Sequence, residues 1–160
     1  MGRLRILVCG WWLLAAGAAG AACPPALDFE MRTLDGAGQV HLCEAYLGRV
    51  VLIVNTASKC AYTPQYEGLE ALHAGYEGRG LAVLGFPSND FGAQEPASED
   101  RIQEFCRLTY GVRFPMFAKT HAAQGTAGPF YRTLGALAGE FPRWNFHKYL
   151  LDRQGRLVAS

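Results

Sequence analysis

Charge of one sign is scarce in this 160-residue chain: 15 Lys and Arg stand against 14 Asp and Glu, a net charge of +1. So even a balance argues against an extended nucleic-acid or membrane-surface footprint. Long apolar runs are lacking too. The best stretch, Ile6 to Ala19, is short for a membrane span and runs out in Ala and Gly. There is no internal repeat, low-complexity tract or linker after it, so one domain large enough to bury its own core is expected. The four histidines, His41, His73, His121 and His147, are scattered without metal-site spacing, and His41-x-Cys43 alone is weak. No glycine cluster forms a phosphate loop. The five cysteines contain no C-x-x-C pair, which argues against a thiol with an immediate local disulfide partner.

What is present starts with a leader. Arg3 and Arg5 form a basic n-region, Ile6 to Ala19 an apolar h-region, and Gly20-Ala21-Ala22 a small-residue cleavage site. Residues 1–22 read as an export signal, with the periplasm of a Gram-negative bacterium as the expected destination. Loss of Arg3 and Arg5 takes the net charge from +1 to −1 by subtraction, and Cys9 leaves with them. Cys23, Cys43, Cys60 and Cys106 remain in a domain spanning residues 23–160. An oxidising compartment permits disulfides, and a Cys23–Cys43 bridge would tie down the N-terminus. The rival reading makes Cys23 a lipid-anchored N-terminal residue; Gly20, where such sites carry a large aliphatic residue, counts against it. Connectivity is not settled by sequence.

The stretch Val50 to Pro64, VVLIVNTASKCAYTP, organises the rest. Val50 to Val54 is short, β-branched and flanked by turn residues, as in a central buried strand. Pro64 opens a helical pattern to Glu77 with Tyr66, Leu69, Leu72 and Tyr76 as its apolar stripe. Before these, Phe29 to Arg32 and Gln39 to Leu42 read as a hairpin around Asp35-Gly36, and Glu44 to Leu47 as one helical turn. After them come a strand from Leu81 to Phe86 and a helix capped by Ser98, carrying Ile102, Phe105, Cys106 and Leu108 and ending at Gly111. A short strand from Phe114 to Phe117, a helix from Pro129 to Leu137, and a hairpin of Phe146 to Leu151 with Arg156 to Ala159 complete the chain. This order predicts an α/β domain, a central mixed sheet flanked by helices with an N-terminal β-hairpin. A cysteine at the first strand-to-helix junction narrows it to a thioredoxin-like architecture.

Cys60 is that cysteine. Unpaired N–H groups and the positive end of the following helix favour a thiolate there, and Lys59 adds a cation. Three places on, where a disulfide oxidoreductase carries its second cysteine, stands Thr63. A nucleophile set up in this way suits attack on a peroxide, which leaves a sulfenic acid and needs donors around the sulfur.

Three motifs then converge. NTASKCAYT, FPSNDFGAQEP (Phe86 to Pro96) and WNFHKYL (Trp144 to Leu150) resemble, in order, the signatures of the glutathione peroxidase family. The resemblance implies a thioredoxin-like fold and reduction of hydrogen peroxide and organic hydroperoxides by a thiol cycle without metal or bound cofactor. It implies Cys60 as the peroxidatic residue, with Gln94, Trp144 and Asn145 as its hydrogen-bonding partners. All three are neutral donors, suited to holding a thiolate. Cys106 resembles the resolving cysteine of the thioredoxin-dependent branch; the other reading is a helix cysteine packed in the core beside Phe105. For the two sulfurs to meet, that helix would have to unwind locally.

Several departures modify the expectation. Ala61 stands where the family usually has Gly, and Ser88 and Asp90 replace its common Cys and Gln. The segment from Lys119 to Pro129 lacks the insertion through which animal members build tetramers, so a monomer is expected and glutathione is a doubtful reductant beside a thioredoxin-like protein. The family continues past the last hairpin through a strand segment and a C-terminal helix, so the domain reads as C-terminally incomplete at Ser160, with one sheet face partly uncovered. Two alternatives stay open: a thiol–disulfide oxidoreductase on the same fold, and a non-catalytic redox sensor that passes oxidation to a partner.

Overall fold

The computed structural model describes residues 22–160; the expected signal over residues 1–22, Cys9 included, lies outside the described residues except for Ala22. The first elements are the hairpin strands β1 (Glu30–Arg32) and β2 (Gln39–His41). In their turn the Asp35 carboxylate accepts from the Thr33 hydroxyl at 2.6 Å and the Ala37 N–H at 3.0 Å, a local bond pattern that Asp favours in turns. Helix α1 (Leu42–Tyr46) follows, then β3 (Val50–Thr56), α2 (Gln65–Tyr76) and β4 (Leu81–Pro87). Helices α3 (Glu99–Tyr110) and α4 (Pro129–Ala138) precede the closing strands β5 (Lys148–Leu151) and β6 (Leu157–Ala159).

The main sheet runs β4-β3-β5-β6. β3 is parallel to β4, which requires a crossover, supplied by α2, and antiparallel to β5. Alternation along the strands divides the core into two layers. Val51, Ile53, Ala82, Leu84, Phe86, Tyr149 and Leu151 pack with α1 and α4 on one face. Val54 and Val83 pack with Tyr66 and Leu69 of α2 and Ile102 and Cys106 of α3 on the other, which is also the layer that holds Cys60. The mixed sheet with helices on both faces and a separate N-terminal hairpin is the architecture expected from the sequence.

Four local expectations are corrected. Tyr76 is exposed, and His73 takes the inward position on α2 because it lies one turn after Leu69. Leu108 is 72% exposed; Ile102 and Cys106, four apart, form the buried face of α3. Phe114 to Phe117 is not a strand but two single bridges, Met116 to Gly85 and Phe117 to Thr33. Its backbone is shared between two neighbours, and Pro115 has no N–H for a ladder. Gly85 allows the approach: a Cβ there would collide with the Met116 side chain. Finally, β5 starts at Lys148 rather than Phe146, whose φ of 64° is incompatible with a strand. Beside α2, Val50, Leu52, Leu81 and Leu150 line an open, mostly apolar groove with Leu72 and Tyr76.

Cys23 and Cys43 are disulfide-bonded, their Cα atoms 5.9 Å apart. The bond fastens the segment before β1 to α1, so both belong to the core layer under α4. With the cysteines 20 positions apart in sequence, Cys23→Ser is expected to lower unfolding stability by about 3 kcal/mol in the loop-entropy account. Urea unfolding of the two oxidised proteins measures it.

Candidate active site

The end of β3 delivers Cys60 into a tight turn before α2. The Thr63 hydroxyl accepts the Cys60 N–H at 3.0 Å and donates to the Ala57 carbonyl at 2.9 Å, while the Thr63 N–H reaches the Cys60 carbonyl at 3.0 Å. Thr63 thus occupies the place of a second cysteine with a brace. Cys60 is buried, 8% exposed, and the Tyr62 N–H points at its sulfur from 3.4 Å. Cys60 and Cys106 are both unbridged.

The second and third motifs meet beside this turn. The Lys59 N–H donates to the Gln94 carbonyl at 3.1 Å, stitching the cysteine loop to the second motif. The Asn145 Nδ2 donates to the Gln94 Oε1 at 3.0 Å and to the Phe91 carbonyl at 3.3 Å. β3 joins in through Asn55, whose Nδ2 donates to the Trp144 carbonyl at 3.0 Å and whose carbonyl accepts the Phe146 N–H at 2.7 Å. Trp144 is 43% exposed and packs edge-on to Phe91, with ring centroids 6.2 Å apart. Gln94, Trp144 and Asn145 therefore lie in one cluster at the end of β3. Among the described residues none of their side chains donates to the Cys60 sulfur, and the Gln94 Nε2 and Trp144 indole N–H have no protein acceptor.

Backbone strain collects here. Two residues other than glycine are left-handed among those described: Ala93 at φ 52°, just before Gln94, and Phe146 at φ 64°, just after Asn145. Each costs about 1–3 kcal/mol and persists only where its surroundings over-determine it, as at functional sites.

Other participants were not singled out from the sequence. Glu95, fully buried, accepts the Ser58 hydroxyl at 3.0 Å on one oxygen and has no partner on the other. Burial pushes its carboxyl up, against the Ser58 contacts and the charges of Lys119 and Lys59. Its own N–H is held by the Asn89 Oδ1 at 2.8 Å. A buried acid beside a buried thiol leaves no periodic trace, so only the motif itself marked this segment.

Asp90 anchors the loop that follows α3. Its carboxylate accepts the His121 ring at 2.7 Å, the N–H groups of Ala122 and Ala123 at 2.8 and 3.0 Å, and the Thr126 hydroxyl at 3.0 Å. Burial works to raise its pKa, but these donors outweigh it and hold the carboxyl below the usual range. A lowered folded pKa stabilises above the unfolded value and is lost as pH falls through the folded one. Asp90→Asn is therefore expected to cost about 2 kcal/mol at pH 7, and the difference from wild type shrinks in melts below about pH 4.

Cys106 sits in the middle of α3, 2% exposed, in the apolar layer shared with Cys60. Burial pushes its thiol up to about 11, with the neighbouring Tyr66 hydroxyl opposing and the Glu95 charge adding to the shift. It also walls a cavity of about 700 Å³ between α3, the β1–β2 hairpin and residues 111–117. It is unbridged and packed in the core, shielded from solvent.

Comparison with known proteins places the chain. The glutathione peroxidase family pattern matches residues 27–135. A glutathione peroxidase-like peroxiredoxin of Schizosaccharomyces pombe is 50% identical over 115 residues, covering 69% of this chain and 73% of the relative. A hydroperoxy fatty acid reductase of Synechocystis is 44% identical over 140 residues, covering 81% and 82%. Among solved structures, T. cruzi GPX1 superposes with a TM-score of 0.66 at 30% identity, covering 84% of each chain. With the thioredoxin-like sheet and a cysteine at its first strand-to-helix junction, these similarities show that the chain belongs to the glutathione peroxidase family.

Proposed function

We propose that this thiol peroxidase works through Cys60 as the attacking sulfur and Cys106 as the resolving one, with a thioredoxin-like dithiol as its preferred reductant. The observation that carries the reading is the junction itself: a lone thiol after β3, braced by Thr63 and flanked by the clustered amides of Gln94 and Asn145. The Cys60 thiolate attacks the outer oxygen of ROOH, the O–O bond breaks, and the alkoxide leaves as ROH with a proton while sulfenic acid remains. The uncommitted N–H groups of Gln94 and Trp144, with Asn145 behind them, are the donors proposed to meet the developing charge. Catalytic hydrogen bonds often tighten only when substrate is present, and that is when these donors would act.

In the second step the Cys106 thiol displaces hydroxide from the sulfenic acid, releasing water and closing a disulfide. A dithiol then reduces that disulfide and becomes a disulfide itself. The short segment from Lys119 to Pro129 favours a monomer and a dithiol protein over glutathione. Organic hydroperoxides belong among the substrates by analogy with the Synechocystis relative. Export to an oxidising compartment is part of the proposal, supported by the basic and apolar leader sequence and by the Cys23–Cys43 bond. The test is peroxide-dependent oxidation of thioredoxin against glutathione at equal thiol concentration. Thioredoxin should be consumed faster by at least about ten-fold; equal or reversed rates overturn the reductant assignment.

A further inference from the structure

The left-handed turn at Phe146 aims Asn145 at Gln94, and the structure shows what holds it. The Phe146 N–H is fixed by the Asn55 carbonyl at 2.7 Å and its ring packs against Tyr66, with centroids 5.3 Å apart. Its carbonyl is fixed by the Lys148 ammonium at 2.6 Å. The same ammonium donates at 2.7 Å to the Oε1 of Gln65, the first residue of α2. Lys148 stands opposite Val54 in the ladder, so one cation joins β5, the third motif and the helix that follows Cys60.

The ammonium is half-buried and makes no ion pair among the described residues. Its two acceptors are neutral oxygens, and it lies at the end of α2 that already carries positive potential. A lysine serving only stability would be better placed at the surface or against a carboxylate. Its position is explained if the turn it locks is what matters.

We propose that Lys148 is a positioning residue: by tying the Phe146 carbonyl to Gln65 it holds Asn145 and Gln94 in register with the turn that carries Cys60. This rests on the peroxidase reading above. A residue of this kind acts through Asn145, so its effect must vanish when Asn145 is absent.

The experiment measures the second-order rate constant for oxidation of Cys60 by hydrogen peroxide in a single turnover, read by peptide mass mapping of the full chain. Lys148→Met should slow it about ten-fold, whereas Lys148→Arg, which keeps a cationic donor, should stay within about three-fold. In an Asn145→Ala background, Lys148→Met should cost less than about two-fold. A Lys148→Met chain as fast as wild type, an Arg variant as slow as the Met variant, or the same factor lost with and without Asn145 overturns the proposal. Should Lys148→Met fail to fold, Gln65→Leu removes one acceptor instead. A drop of about three-fold that Asn145→Ala absorbs then supports the assignment, and an unchanged rate overturns it. A wild-type chain whose Cys60 resists peroxide refutes the parent reading and this proposal together.

Discussion

Cys60→Ser is expected to abolish peroxide turnover, a fall of at least about a thousand-fold, while leaving the melting temperature within a few degrees of wild type. The two halves of that expectation have separate causes. A hydroxyl at this position is a far weaker nucleophile than a thiolate and cannot pass through a sulfenic acid, so the first step is lost. The turn survives because it is held by the Cys60 backbone, whose N–H is accepted by Thr63 and whose carbonyl accepts from Thr63, not by the sulfur. Serine is nearly isosteric, and the one hydrogen bond to the sulfur among the described residues, from the Tyr62 N–H, suits an oxygen equally well. Residual activity near wild type would mean that another group reacts with peroxide. Insulin reduction by wild type that is lost in Cys60→Ser, with no peroxide turnover by either, would favour the oxidoreductase alternative instead.

Cys106→Ser is expected to divide the cycle at its second step. Single-turnover oxidation of Cys60 should stay within about two-fold of wild type, while steady-state turnover with thioredoxin falls about a hundred-fold. The geometry explains the separation. Cys106 packs beside Ile102 on the inner face of α3 and takes no part in the hydrogen bonds that clamp the Cys60 turn. With its thiol pushed up to about 11 by burial, it is protonated at neutral pH, and in the proposed cycle it reacts once α3 opens. The cavity it walls leaves room on the hairpin side for that movement. Full thioredoxin-dependent turnover in Cys106→Ser would remove the resolving role and leave the packed-core reading. A wild-type protein that instead accumulates a mixed disulfide with another protein would favour the sensor.

The architecture was legible in the sequence because its strongest signals are local. Val50 to Val54 is an unbroken β-branched run, and it became the central strand. Gly111, read from the sequence as the end of α3, stands at a left-handed helix end. The Cys23–Cys43 bond was anticipated from compartment chemistry and is present. What failed was finer: Leu108 and Tyr76 are apolar yet exposed, because one residue of drift around a helix is about 100° and apolar content alone does not choose the face.

The site was legible in its members but not in its wiring. Gln94, Trp144 and Asn145 were singled out through three motifs, and the fold brings them to one end of β3. Their bonds run to one another, to Phe91 and to Asn55 rather than to the sulfur. The buried Glu95 with Ser58 and the cation at Lys148 with Gln65 join residues 37 and 83 positions apart. No spacing rule reports such long-range pairings. Left-handed Ala93 and Phe146 violate local preference for a reason visible only in three dimensions: each turns an amide toward the other.

The most direct measurement adds one equivalent of hydrogen peroxide to Cys106→Ser in the presence of a sulfenic-acid trap and maps the adduct by peptide mass. One adduct per chain, on Cys60, is the predicted result. An adduct elsewhere, or an untouched Cys60 after the peroxide is consumed, would contradict the account.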